Sequence, residues 1–539
     1  MATQVLTLEA RDRSDINPWV IAGTVMLATF MEVLDTSVAN VALPHIAGSL
    51  SSSVDEATWV LTAYLVANAI VLPLSGWFSS LFGRKRFYMT CVALFTLSSA
   101  MCGLAPSLTT LIVFRVLQGL GGGALQPVSQ AILRETFPRE KQGMAMAVYG
   151  MGVVFAPVVG PTLGGWITDN FTWRWIFLIN IPVGICSLLF TSILIFDPPY
   201  LVRKSLAGLR IDYIGLGLLA TGLGALEIML DEGQRNDWFS SHGIVAAAVI
   251  AIVALVSVVF WELRQKDPVV DLHLLKERNF AISTFTMFVL GFVLYGSTMA
   301  LPLFLQTLLG YTATQSGMAL SPGGLAIMVM MPMVGLLLSR YEARWLVMFG
   351  LLVSSLGLYQ MSRFNLEIDF RHAVLARIVQ SLGLAFLFVP INTTAFYFIA
   401  RQNTSYATGL INLARNIGGS TGIALSTTLI ARREQFHQQR LIEHLSPLDA
   451  SYQSTLEAAK QMFLAKGADA AHAAQQAQQF VYDMVQRQAS MLAFLEDFRL
   501  LAIAFLALIP LMFLMKNTRV MFLMKNTRAG RGASSSLAH

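Results

Sequence analysis

The stretch FMEVLDTSVANVALP, residues 30–44, places Glu32 and Asp35 inside an otherwise apolar run that extends from Trp19 to Leu43. Such a run is long enough to cross the hydrocarbon core of a bilayer, which takes about 20 residues of helix. A carboxylate at mid-membrane costs about 2.5–3.5 kcal/mol even on the lenient insertion scale. Two of them on one helix therefore need a partner, a function, or both.

The rest of the chain fits the membrane reading. Of 539 residues, 55% are hydrophobic and 13% charged, against about 25% charged in soluble domains, and the mean hydropathy is +0.61. The apolar residues fall into fourteen blocks: 19–43, 57–78, 87–105, 108–133, 143–168, 175–196, 212–230, 242–262, 280–308, 315–339, 344–362, 373–399, 406–430 and 498–515. Residues 1–18 are polar and lead directly into a full-length span, so no cleavable leader is expected. The net charge of +6 comes from Lys and Arg in the connectors rather than from one patch, which speaks against nucleic acid. With the N-terminus inside, the short outer connectors hold only Arg174, Arg235, Arg363 and Arg371, whereas the inner ones hold clusters such as Arg84-Lys85-Arg86 and Arg203-Lys204-Arg210. This asymmetry places both termini in the cytoplasm. Cys91, Cys102 and Cys186 lie within spans and form no metal or disulfide pattern.

An internal repeat divides the chain. RVLQGLGGG at 115–123 is echoed by RIVQSLGLA at 377–385, and GWFSS at 76–80 by GLLLSR at 335–340, at offsets of 262 and 259. Two parallel halves are a transporter signature, with the substrate path between them. The expected fold is an all-α integral membrane protein of two six-helix bundles, residues 19–196 and 280–515, with an inserted helix pair at 197–279 and cytoplasmic tails at 1–18 and 516–539. Residues 431–497, rich in Ala, Gln and Glu, form an extracytoplasmic loop of high helical propensity with a break at Gly467. It is either a solvated helical hairpin or a docking surface for a periplasmic adaptor. MFLMKNTR occurs at 512–519 and again at 521–528, and reads as a duplication without function.

Ionisable residues deep in spans are functional candidates. Asp35 lies eight residues from the outer end of its span and Arg115 seven from its own, so both sit about 10–12 Å deep at 1.5 Å per residue. Equal depth lets them pair. Glu32 lies one turn deeper on the same face, and two close carboxylates cannot both ionise cheaply, which makes the pair a candidate proton site. Glu227 lies near the outer end of the seventh span and can snorkel to water; Arg377 is similarly shallow. Arg415, about 14 Å from the inner face, has no carboxylate in its own half to meet. Gln118, Asn40, Gln380, Arg377 and Arg415 are candidates for the walls of a polar cavity. GLGGG at 119–123 lacks the strand and the Lys-Ser/Thr of a phosphate loop. No nucleophile, metal cluster or cofactor motif points to an enzyme.

Four motifs in order carry a family resemblance: LDTSVANVALP (34–44), RVLQGLGGG (115–123), APVVGPTLGGW (156–166) and WRWIFLINIPVG (173–184). Over residues 15–515 the chain resembles the fourteen-helix drug:proton antiporter branch of the major facilitator superfamily, the EmrB/QacA type. The resemblance makes Ala156, Pro157, Gly160, Pro161, Gly164 and Gly165 the antiporter motif, Arg115 the arginine of proton coupling and Asp35 the acid of the first helix. In the loop after the second span Gly76, Gly83, Arg84 and Lys85 match the family pattern, while Ser80 and Leu81 stand where the family has Asp-Arg. The function implied is proton-driven export of amphipathic or lipophilic drugs across a bacterial inner membrane. An exporter of one metabolite or siderophore is the rival, and a non-transporting scaffold the remote one.

Overall fold

A computed structural model describes residues 17–138, 141–197, 212–265, 268–338, 340–443, 445 and 449–516. Residues 1–16, Arg139, Arg203, Lys204, Arg210, Lys266, the last three residues of the first MFLMKNTR copy and the whole second copy lie outside the described residues. Among the described residues every regular element is a helix.

The first half contains α1 (Pro18–Ser49), α2 (Trp59–Phe82), α3 (Arg84–Gly103), α4 (Leu108–Gly122), α5 (Leu125–Thr136), α6 (Gln142–Asn170) and α7 (Asn180–Leu194). A pair follows, α8 (Tyr213–Glu232) and α9 (His242–Glu262). The remainder is α10 (Arg278–Leu309), α11 (Ala313–Leu337), α12 (Ala343–Met361), α13 (Phe370–Ala395), α14 (Thr404–Glu443), α15 (Ala450–Ala465) and α16 (Ala470–Ala507). Helix lies at each of the fourteen apolar blocks. Nine helices are long and apolar enough to cross a bilayer among the described residues, or ten when the bent α6 counts as one span.

Local chemistry sets the ends. Asn17 accepts the amide of Trp19 at 3.0 Å with Pro18 in the first turn of α1. Thr312 and Gln315 form a reciprocal capping box on α11. Gly83 and Gly467 adopt φ of +83° and +93°, a region open to glycine, and turn the chain between α2 and α3 and between α15 and α16.

Three features differ from the expectation. The fourth block is two helices, because the run Gly119–Gly123 breaks between α4 and α5 where Gly121 and Gly123 press on the backbones of Phe95 and Asn68. The fifth bends by 41° between Gln142–Pro157 and Thr162–Asn170, across the glycine–proline motif. The last two blocks run longer as helix than expected, into residues 431–497: α14 runs on to Glu443 and α16 begins at Ala470, each continuous with its apolar block. No Gly or Pro interrupts either extension, so the helices propagate, and the break falls at Gly467 as expected. Glu496 joins them, its Oε2 in an ion pair 2.7 Å from Arg433 Nε and its Oε1 3.1 Å from His437 Nε2.

Glycines allow close crossings. A Cβ at Gly418 or Gly422 of α14 would overlap the carbonyls of Phe288 and Phe292 on α10, and one at Gly291 the carbonyl of Arg415. The halves meet chiefly where α2 packs on α14 and α6 on α11, with α5 also touching α14 and α6 touching α13. Gly76 lies against the Tyr406 backbone and Gly335 against Met144, so both are near the basic connectors. The pair α8–α9 flanks this assembly: α8 touches α2 and α14, and only 28% of the most apolar window of α9 is buried, leaving its Val and Ile to hydrocarbon. Gly418→Leu is expected to force α10 and α14 apart, destabilising the protein by about 1–3 kcal/mol; a thermal-unfolding series in detergent reads this directly, with the exposed Gly23→Leu as the tolerated control.

Candidate proton-coupling site

The two acids of α1 point into different surroundings. Asp35 is 2% exposed and Arg115 of α4 is fully buried. Asp35 Oδ2 accepts Arg115 Nη1 at 2.5 Å, and Oδ1 accepts Gln118 Nε2 at 2.9 Å and Asn180 Nδ2 at 2.7 Å. Gln118 closes the triangle by accepting Arg115 Nη1 at 2.9 Å, one turn along α4. Arg115 Nε donates to the Val60 carbonyl at 2.9 Å, and its guanidinium lies 4.3 Å from the Tyr64 ring centroid. Asn180 of α7 is itself fixed by Ser99 Oγ at 3.0 Å. This close approach depends on Gly119, where a Cβ would overlap the Tyr64 carbonyl. Three donors thus converge on one carboxylate, and Arg115 supplies the counter-charge.

Glu32, 4% exposed, shares no hydrogen-bond partner with Asp35. Its Oε2 accepts Gln126 Nε2 at 2.8 Å, and Oε1 accepts Tyr64 Oη and Asn68 Nδ2, both at 3.3 Å. Tyr64 links the two acids, its ring under Arg115 and its hydroxyl on Glu32. Gln126 passes on to Arg415 of α14, which donates to its carbonyl oxygen. Arg415 therefore meets a first-half amide rather than a carboxylate of its own half.

The other predicted residues are dispersed. Glu227 does not snorkel: it is buried and accepts Ser420 Oγ of α14 at 2.5 Å. Arg377 donates to Gln380 Oε1 at 2.8 Å and to Thr298 Oγ1 at 2.9 Å, and Gln380 Nε2 donates to Ser297 Oγ at 2.8 Å. Ser297 lies 262 residues after Asp35, the offset of the repeat itself. The second half thus repeats the Arg–Gln geometry around a neutral hydroxyl. Asn40 is exposed at the far side of α1.

In the glycine–proline motif, Ala156 is fully buried, and a Cβ at Gly160 or Gly164 would overlap Ser37 or Val38 of α1. Ser37 Oγ donates to the Pro157 carbonyl at 3.4 Å. Gly165 faces open space, and the side chain of Pro161 lies outside the described residues. In the loop motif Gly76 abuts Tyr406 and Gly83 makes the turn. Arg84 is buried in an ion pair with Glu135, and Lys85 donates its Nζ to the Ser192 carbonyl at 2.6 Å. Ser80 Oγ lies 3.2 Å from the Tyr406 hydroxyl, which puts a polar tie across the seam at the position where the family carries aspartate.

Sequence reasoning missed Tyr64, Asn68, Gln126 and Asn180. Each is a polar side chain inside an apolar block, a signal that ionisable residues overshadowed. It also missed Asp497, fully buried on α16, one residue before the expected start of the last span.

The sequence matches the family model described as Major Facilitator Superfamily over residues 25–423. The chain is 38% identical over 492 residues to "Multidrug export protein EmrB" of Haemophilus influenzae, covering 91% of this chain and 94% of that protein. It is 37% identical over 493 residues to "Fatty acid resistance protein FarB" of Neisseria gonorrhoeae, with the same two coverages. Its fold matches the crystal structure of the human organic anion transporter MFSD10 with a TM-score of 0.56 at 13% identity, covering 91% of this chain and 100% of that one.

Removing one partner of a buried ion pair costs about 3–5 kcal/mol. Arg115→Ala should therefore abolish uphill transport and lower stability. Arg115→Lys keeps the charge but loses the fork that holds Asp35, Gln118 and Val60 together, and should bind substrate while transporting slowly. Near-normal transport by Arg115→Ala in vesicles would show the pair to be dispensable.

Proposed function

This chain belongs to the major facilitator superfamily, in its EmrB-type branch, and is a transporter rather than an enzyme; from that premise we propose that it exports amphipathic drugs in exchange for inward protons. The observation that carries the reading is the Asp35–Arg115 pair, fully enclosed by α1, α2, α4 and α7. A charge buried at this price in hydrocarbon is expected to do work in the cycle.

In the proposed cycle, fourteen spans form two six-helix bundles, 19–196 and 280–515, with α8 and α9 inserted between them and both termini in the cytoplasm of a bacterial inner membrane. The contacts of α2 with α14 and of α6 with α11 seal the basic, cytoplasmic end. A proton arriving from outside neutralises Asp35, and its hold on Arg115, Gln118 and Asn180 weakens. The bundles then rock, the proton leaves on the inner side, and substrate drives the return. FarB is named for fatty acid resistance, and fatty acids are amphipathic, which supports a lipophilic substrate class.

Asn at position 35 copies the shape of the protonated acid but releases no proton. Asp35→Asn should bind a dye substrate without pH dependence and fail to concentrate it, whereas Glu32→Gln should show a partial defect. Substrate-induced proton release from purified protein measures the difference. Continued release and uphill pumping by Asp35→Asn would reduce Asp35 to a structural partner. A panel of dyes in the same vesicles separates a broad exporter from one dedicated to a single compound.

We further propose that the extension built from the ends of α14 and α16 with α15 docks a periplasmic adaptor. Ser490 Oγ donates to Glu434 Oε1 at 2.5 Å, so a short flexible linker can replace residues 435–490 without separating the helices. That deletion should leave vesicle transport intact and abolish resistance in cells; equal loss in both assays would make the extension part of the transport machinery.

A further inference from the structure

Helix α5 carries three polar side chains four residues apart, Gln126, Gln130 and Arg134, and each reaches across the seam into the second half. Arg134 Nη2 donates to the Asn392 carbonyl at 2.9 Å. Gln130 and Asn412 exchange amide hydrogen bonds at 3.0 and 3.4 Å. Gln126 receives Arg415 on its carbonyl oxygen and gives its amide to Glu32 at 2.8 Å. Of these three rungs, Gln126 is the one that ends on a carboxylate.

We propose that Gln126 is a proton-sensing relay, which ties ionised Glu32 to Arg415 and holds the basic end of the bundle closed until Glu32 takes up a proton. The relay rests on the antiporter reading and adds to it a positioning residue and a direction. Stereochemistry sets that direction. A guanidinium only donates, so Gln126 must turn its oxygen to Arg415 and its NH2 to Glu32. Tyr64 and Asn68 also approach Glu32 as donors, so the pocket is built for the anion. A proton on Oε2 would point at the Gln126 hydrogens. A proton on Oε1, received by the Tyr64 hydroxyl, would leave Gln126 facing a neutral carbonyl, and a hydrogen bond to a charged acceptor is roughly twice as strong as one to a neutral acceptor. Flipping the amide would satisfy a protonated Glu32 but set NH2 against Arg415. Protonation therefore weakens the rung in every arrangement.

The other titratable groups around Glu32 are Asp35 on its own helix, held by Arg115 of α4; Tyr64 of α2; Tyr149 of α6; and Arg415 of α14. Two cations lie one side chain from Glu32, Arg115 across the Tyr64 ring and Arg415 across the Gln126 amide, and of these Arg415 belongs to the second half.

The test uses the full chain in lipid nanodiscs, with spin labels at Arg86→Cys and Gln402→Cys, both exposed at the basic end, in a Cys186→Ser background that leaves only the buried Cys91 and Cys102. In this background the label separation should grow as pH falls. Gln126→Met should raise the ratio of open to closed molecules about tenfold at high pH and flatten the pH response, and Glu32→Gln should be shifted toward the open form and show little pH response. Gln130→Met should loosen closure yet keep the pH response. If Gln126→Met, or Glu32→Gln where the former does not fold, responds to pH as the parent does, the relay is wrong while the antiporter reading stands. If the parent neither opens on acidification nor releases protons on binding substrate, the antiporter reading fails and the relay with it.

Discussion

Asp35 and Arg115 meet where water is excluded, and the surrounding architecture follows from making that meeting tolerable. Two charges taken from water repay their desolvation only when geometry is good and the remaining donors and acceptors are satisfied. Here Gln118, Asn180 and the Val60 carbonyl supply the extra bonds, and Tyr64 supplies a π face. To bring those groups from α1, α2, α4 and α7 to one point, the helix backbones must approach closely. Gly119 against α2 permits it. That glycine is therefore a packing device in the service of an ion pair, which is a more specific role than close packing alone.

The two halves are alike in backbone repeat and unlike in charge. Arg377 and Gln380 keep the geometry of Arg115 and Gln118, but Ser297 stands where the repeat offset from Asp35 falls. Among the described residues that guanidinium meets neutral partners, Gln380, Thr298 and Ser297, where Arg115 meets a carboxylate, so the two copies differ in charge at the equivalent point. Contacts between the halves are polar as well as apolar: the α5 ladder and Ser80 with Tyr406, with Glu227 of the inserted α8 on Ser420 at their flank. Hydrogen bonds exchange partners more readily than a close-packed apolar interface, which suits a seam that has to open.

Much of this was legible in the sequence. Continuous apolar blocks dictate helices because backbone groups in lipid must be satisfied within the segment, and depth along a helix is fixed by its rise, so Asp35 and Arg115 could be matched by counting. The internal offset of 262 revealed the duplication, and Ser297 at the offset from Asp35 became meaningful only beside Arg377 and Gln380. What counting could not supply is rotation about each helix axis and the order in which helices pack. Glu32 and Asp35 share a face by spacing, yet one turn of helix sends them to different neighbours, Gln126 and Arg115. Glu227 looked free to reach water until α14 covered it. Arg415 found an amide of the other half rather than an acid of its own. Periodicity along one segment gives the sequence its determinism; which side chain closes a buried hydrogen bond depends on helices far apart in the chain, and only their packing decides it.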